Sequence, residues 1–288
     1  MSGFVIYTDS ACDVFPEYLE EWGVKCISLT FSFAGEDKIY NDNEMPLKDF
    51  YDLMRQGTIV KTAAANTERF KEVFETELKN GNDVLYLGFS SGLSTTYNCS
   101  RMAAEELMEQ YPDRKVITVD GLSASGGFGL LVYLTSLQKK AGATIEQTAQ
   151  YAIDKIPNIC HWFTVDDLKY LKQGGRISPT AAFVGGLLGI KPVLHVDNEG
   201  HLVNVLKVRG RRAAITALAD KYTESALTPS EGTVFICNAD CPDDANELAA
   251  ILKKRHKYSG VKIMNIGSVI GAHAGPGTLA LFFVGKER

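Results

Sequence analysis

The sequence predicts an α/β protein of two domains. Residues 1–160 are expected to form a mainly parallel sheet flanked by helices, and residues 161–288 a mixed or antiparallel sheet with helices. Three observations predict this. Short apolar runs alternate with helix-length amphipathic segments through the first half, the rhythm of strand–helix–strand units that build parallel sheets. The second half carries a hairpin signal and a late strand, which a purely parallel sheet does not accommodate. A chain of 288 residues is also long enough for two domains. Composition shows no linker, so the division near residue 160 rests on the change of pattern alone.

Taken in order, Phe4 to Tyr7, Val84 to Phe89 and Val116 to Val119 read as buried strands. Between them, Pro46 to Arg55 and Thr67 to Leu78 read as helices; Thr67, with Glu68 and Glu72 behind it, gives the second an acidic start. Tyr97 to Gln110 and Gly126 to Lys139 continue the alternation. Ile159 to Thr164 reads as a strand, and Val165 to Lys172 as a short helix stopped by Gly174–Gly175. Thr180 to Leu188 reads as a helix of small residues. Val193 to Val196, the turn Asp197–Asn198–Glu199–Gly200 and Leu202 to Val208 form the hairpin signal. Arg211 to Thr223 and Pro242 to His256 read as helices, and Thr233 to Cys237, Val261 to Ile266 and Thr278 to Val284 as strands.

Charge and composition narrow the function. A net charge of −5 argues against a general nucleic-acid binder, which needs a basic face. No apolar run reaches the ~18 residues of a membrane-spanning helix. The N-terminus enters a strand pattern at once, carries Asp9 and Asp13 and lacks the basic start of a signal peptide. The six cysteines form no CxxC pair, and Cys237 and Cys241 have no histidine nearby, so neither metal nor cofactor is expected. A reducing cytoplasm fits best.

Ligands of open α/β sheets gather at the carboxyl ends of strands, and four polar constellations stand there. Thr8–Asp9–Ser10–Ala11–Cys12–Asp13 is either a capped turn or the rim of a site. Lys61–Thr62–Ala63–Ala64–Ala65–Asn66 reads as a loop whose small residues admit something close to the backbone. Ser90–Ser91–Gly92–Leu93–Ser94–Thr95–Thr96–Tyr97 places five hydroxyls and a glycine between a buried strand and a helix start. Capping needs one hydroxyl; a helix start with several suits a carboxylate or phosphate. Gly267 to Gly277 reads as a glycine-rich loop that exposes His273.

Catalytic signatures are missing: no phosphate-binding GxxxxGK[ST], no GxSxG, no HExxH. A serine nucleophile at Ser91 or Ser94 with His273 as base stays open, as an acyl hydrolase or phosphotransfer enzyme, but no third residue stands out to orient the base. Gly174–Gly175–Arg176–Ile177–Ser178 and Arg209–Gly210–Arg211–Arg212 are basic segments of an acidic protein. They are either solvated surface or contacts for an acidic partner, which would suit a sensor or scaffold.

Seven motifs occur in one order: T-D-S, K-T-A-A-A-N, F-S-S-G-L-S-T-T-Y, L-K-Q-G-G-R-I-S, K-P-V-L-H-V-D-N-E-G, V-R-G-R-R-A and G-A-H-A-G-P-G. Together they resemble the DegV family from Phe4 to Val284. That family resembles the fatty-acid-binding subunits of bacterial fatty-acid kinase. The resemblance implies a carrier, not an enzyme, that holds one long-chain fatty acid such as palmitate at the domain interface with its acyl chain buried. It implies carboxylate hydrogen bonds from Thr62 and Ser94, with His273 completing the network and Thr95 contributing a hydroxyl or N–H. It further implies that a partner kinase phosphorylates the carboxylate, and that it docks at Arg176 and Arg209. A role in lipid metabolism and transport, with transient membrane contact, belongs to the same expectation. Many relatives carry serine after the loop threonine. Here that residue is Ala63, so the polar network has one hydroxyl fewer. The aliphatic and small residues from Phe183 to Ile190 are candidates to line the acyl cavity.

Overall fold

The computed structural model describes residues 3–42, 44–178, 189–257 and 260–288. The first part of the chain runs β1 (Phe4–Asp9), α1 (Pro16–Trp22), β2 (Val24–Ile27), β3 (Thr30–Phe33), β4 (Tyr40–Asn41), α2 (Leu47–Arg55) and β5 (Val60–Ala63). It continues through α3 (Thr67–Lys79), β6 (Asp83–Gly88), α4 (Thr96–Gln110), β7 (Val116–Asp120), α5 (Ser125–Lys140) and α6 (Ile145–Lys155). The remainder runs β8 (Ile159–Thr164), α7 (Lys169–Gln173), β9 (Ile190–Val196), β10 (Leu202–Arg209), α8 (Arg211–Ser225) and β11 (Val234–Asn238). It ends with α9 (Pro242–His256), β12 (Val261–Asn265), α10 (Ser268–Ala274) and β13 (Leu279–Val284).

Strands β2, β1, β6 and β7 form, in that order, a wholly parallel sheet. Every residue of β6 is buried, as a parallel strand covered on both faces requires. The second large sheet has the order β10, β9, β8, β13, β11, β12. Its pairs are antiparallel apart from β11 and β12. The parallel first sheet, the mixed second sheet and the hairpin agree with the sequence. The change of sheet falls between β7 and β8.

Helix α5 explains how the two sheets share a core. Its first twelve residues are buried nearly throughout, the signature of a helix with no solvent face. Glycines let it approach closely: a Cβ on Gly126 would lie 2.5 Å from Cys237 Sγ, and one on Gly127 would lie 2.2 Å from His161 Nε2. One apolar core therefore runs from Ile6, Val84 and Phe128 to Phe235 and Phe282. A second core lies on the far face of the mixed sheet, where Leu218, Leu248 and Leu252 of α8 and α9 cover Leu281.

Several elements depart from the sequence reading. A small antiparallel sheet of β4, β3 and β5 was not expected. It converts Lys61 to Ala63 of the supposed loop into a strand, leaving Ala64 to Asn66 as loop, and Asn66 rather than Thr67 caps α3, accepting from Arg69 N at 2.9 Å. Gly267 to Gly277 is not all loop, because Ser268–Ala274 closes into α10 and ends at Gly275. Small residues permit a helix where it is packed from both sides, and here tertiary contacts override weak propensity. The helix expected from Val165 starts only at Lys169. The helix expected at Thr180 to Leu188, and the cavity residues expected from Phe183 to Leu188, lie outside the described residues. Among the described residues, no helix is long and apolar enough to cross a membrane.

Candidate functional site

A cavity of about 440 Å³ opens where the two sheets meet, within the ~300–1,000 Å³ range of small-molecule sites. Its apolar wall includes Phe89, Leu93, Phe163, Leu171, Ile270 and Phe282. Thr62, Ser94, Thr95, Arg176 and His273 also line it. The structure therefore gathers five of the six expected site residues at one cavity.

Each of these side chains is placed by a local rule. β5 alternates half-buried and exposed residues, and Thr62 pairs with Phe31, which is 1% exposed. The period of two thus turns Thr62 inward and Lys61 outward, while Ala63, exposed, lines the cavity beside Thr62. Thr62 Oγ1 and His273 Nε2 are 2.8 Å apart. His273 sits in the last turn of α10, and Gly174 packs on the imidazole, where a Cβ would lie 2.2 Å from Nδ1. Nδ1 is buried without a hydrogen-bond partner. An unpartnered acceptor costs less than an unpartnered donor, so the favoured tautomer carries its proton on Nε2 and donates to Thr62 Oγ1. The Thr62 hydroxyl hydrogen is then free to donate into the cavity.

Ser94 Oγ lies 2.9 Å from Thr96 Oγ1 and accepts from Thr96 N at 3.2 Å, at the start of α4. If the Thr96 hydroxyl donates to Ser94, the Ser94 hydrogen is likewise available. Thr95 is exposed at the rim. Ser94 and His273 make no hydrogen bond to each other; Ser94 pairs with Thr96 and His273 with Thr62. The serine–base pairing that a hydrolase needs is therefore not formed.

Electrostatics set the charge of the site. Burial, and then the Arg176 guanidinium, lower His273 to about 4, so it is neutral at pH 7. Arg176 is half-buried and donates from Nε to Leu93 O at 3.1 Å and from Nη1 to Gly174 O. The positive charge at this end of the cavity thus belongs to Arg176. The two arginines expected to act together are separated: Arg176 lines the cavity, while Arg209 is exposed at the end of β10.

Two buried carboxylates, Asp13 and Asp42, fasten the helix that carries His273. Asp13 accepts from Ser125 Oγ at 2.5 Å and from Gly267 N at 2.8 Å. Asp42 accepts from Val269 N at 3.1 Å. Both hold the first turn of α10, whose last turn carries His273. Asp13 and Ser125 are left-handed, with φ of 52° each, and burial pushes Asp13 well above the usual carboxylate range. The signal available in sequence was the acidic turn Thr8 to Asp13, but its partners lie more than a hundred residues away. Two further polar residues of the cavity are internally bonded. His161 Nδ1 bonds Ile159 O at 2.9 Å, and Thr278 Oγ1 donates to Ala274 O and Gly275 O. Among the described residues no cluster of three His, Cys, Asp or Glu could hold a metal.

Comparison with known proteins gives the family and the fold. The model of the family described as "Uncharacterised protein, DegV family" matches residues 3–286. A DegV domain-containing protein of Clostridium perfringens is 42% identical, covering 100% of this chain and 99% of its own. The crystal structure of a DegV lipid binding protein from Thermotoga maritima is 32% identical, with a TM-score of 0.87 and 99% of each chain covered. A second Thermotoga maritima protein, described as revealing fatty acid binding function, is 30% identical. Its TM-score is 0.84, and 98% of this chain and 99% of that chain are covered.

Proposed function

Because the chain belongs to the DegV family, we propose that it binds one long-chain fatty acid, with the acyl chain in the apolar cavity and the carboxylate at Thr62, Ser94 and His273. The observation that carries this is the cavity's division into an apolar body and one polar end with hydroxyl hydrogens to spare. Thermotoga maritima relatives described as lipid- and fatty-acid-binding support it. Burying a 16-carbon chain is worth on the order of 10 kcal/mol at ~0.8 kcal/mol per CH₂, from which association costs are subtracted. The carboxylate must be hydrogen-bonded there, because a buried unpaired charge is costly. Two hydroxyls donate to it, Thr95 adds a rim hydroxyl, and neutral His273 orients Thr62. Arg176 supplies the opposite charge.

In this reading the protein is a carrier and has no catalytic residue of its own. Residues 1–160 and 161–288 are the two domains whose interface forms the site. A fatty-acid kinase would phosphorylate the carboxylate at the open rim, docking through exposed Arg209, while Arg176 faces the head group rather than the partner. Calorimetric titration of protein stripped of bound lipid with palmitate and with hexadecanol, which has the same tail and no carboxylate, tests the reading. Palmitate is expected to bind with one-to-one stoichiometry and more tightly than the alcohol. Absence of palmitate binding would overturn it.

A further inference from the structure

The tip of the β9–β10 hairpin rests on the loop that carries Ser94. Ser90, at the start of that loop, is fully buried. Its hydroxyl donates to Gly200 O at 2.9 Å and accepts from Gly92 N at 3.2 Å. Its carbonyl accepts from Leu93 N and Ser94 N, both at 3.1 Å, and its N–H donates to Ser123 O at 3.1 Å. Every polar group of Ser90 is engaged, and one of these bonds fixes the Ser94 amide directly.

The hairpin side of the contact is equally close. Gly200 is left-handed, with φ of +80°, and a Cβ there would lie 2.2 Å from Ser90 Oγ. A Cβ on Gly92 would lie 3.0 Å from the carbonyl oxygens of both Glu199 and Gly200. Arg288 holds the same tip from another direction. Its Nη1 donates to Asp197 O at 2.9 Å and to Leu122 O at 2.6 Å, and its Nη2 to Ser123 Oγ at 3.0 Å. A loop of the first sheet is thus set in place by a hairpin of the second.

We infer that Ser90 is a positioning residue: seated on Gly200, it holds Ser94 in register with Thr62 and His273, so recognition of the carboxylate depends on the hairpin being latched. This rests on the fatty-acid reading and adds to it a dependence of head-group selectivity on contacts outside the cavity. Val196 and Leu202 of the hairpin also line the cavity, so a shifted hairpin would disturb the tail as well. Hexadecanol is the control for that effect.

The test is calorimetric titration of the full chain, stripped of bound lipid, with palmitate and hexadecanol, for the wild type, Ser90→Ala, Gly200→Ala and Arg288→Gln. Ser90→Ala and Gly200→Ala are expected to weaken palmitate about tenfold, the scale of one hydrogen bond to a charged group. Arg288→Gln should weaken it in the same sense. Hexadecanol affinity should change less than about twofold, since the alcohol carries no charge. Equal losses for both ligands, or no loss for either, would reduce Ser90 to a fold-maintaining contact and overturn the inference. If circular dichroism shows Gly200→Ala unfolded, Ser90→Ala and Arg288→Gln decide. A wild type that binds no palmitate defeats the fatty-acid reading itself, and this inference with it.

Discussion

Replacing His273 with Gln removes a titrating group while keeping an amide N–H where Nε2 donates to Thr62. Folding lowers His273 from 6.5 to about 4. Between those pH values the unfolded chain binds its proton and the folded protein does not, so this contribution to stability is complete above pH 6.5 and is lost as pH falls. At ~1.4 kcal/mol per unit the loss is ~3 kcal/mol. Asp9 acts in the opposite sense. Burial raises it from 3.8 to about 6, against hydrogen bonds from Tyr86, Phe89 and Ala11 that lower it. The folded state therefore holds its proton longer than the unfolded chain does, and stability falls as pH rises through that window, again by ~3 kcal/mol. Burial also raises Asp13 and lowers His161, so the wild-type pH profile alone does not isolate any one group. The difference between wild type and His273→Gln isolates the histidine, because Asp9 is common to both. Urea unfolding from pH 4 to pH 8 should show wild-type stability falling, relative to the variant, by ~3 kcal/mol between pH 6.5 and pH 4, with no slope above pH 7. A flat difference across that range refutes the claim that His273 is neutral and buried in the resting site.

Thr62→Val keeps the β-branched shape of a strand residue and deletes the hydroxyl. It should destabilise the free protein by ~1–3 kcal/mol in urea unfolding, since both His273 nitrogens then lack partners, and should weaken palmitate at least tenfold by calorimetry. Gly174→Ala places a Cβ 2.2 Å from His273 Nδ1. It should displace the imidazole, weakening palmitate more than hexadecanol in the same titration. Arg209→Ala should leave palmitate affinity unchanged while weakening co-sedimentation with a fatty-acid kinase catalytic subunit; loss of palmitate binding instead would place Arg209 in the wrong role.

The sequence showed most of the fold because its strands are buried runs and its helices carry clear stops. Val84 to Phe89 is apolar without interruption, and Pro242 to His256 starts on a proline and ends in a basic turn. The small sheet was hidden because β4 is two residues long and β5 alternates Val, Lys, Thr, Ala, which reads equally as a loop. Helix α10 was hidden by Gly271 and by the glycines after it, which mask a helix that Asp13 and Asp42 fasten from far along the chain. For the site, the excess of hydroxyls at Ser90 to Thr96 singled out a loop that lines the cavity. The resemblance selected Thr62 and His273 from loops that were otherwise ambiguous. The direction of Arg176 was not legible, because it depends on Leu93 O and Gly174 O meeting in three dimensions. The latch of Ser90 on Gly200 was invisible for the same reason, with 110 residues between its partners.

The most direct measurement of the central claim is mass spectrometry of the lipid released when the protein, purified from cells without added fatty acid, is denatured and extracted. The account predicts about one long-chain fatty acid per chain, retained through native gel filtration and much reduced in Thr62→Val. Recovery of no fatty acid, or of equal amounts from wild type and Thr62→Val, would contradict it.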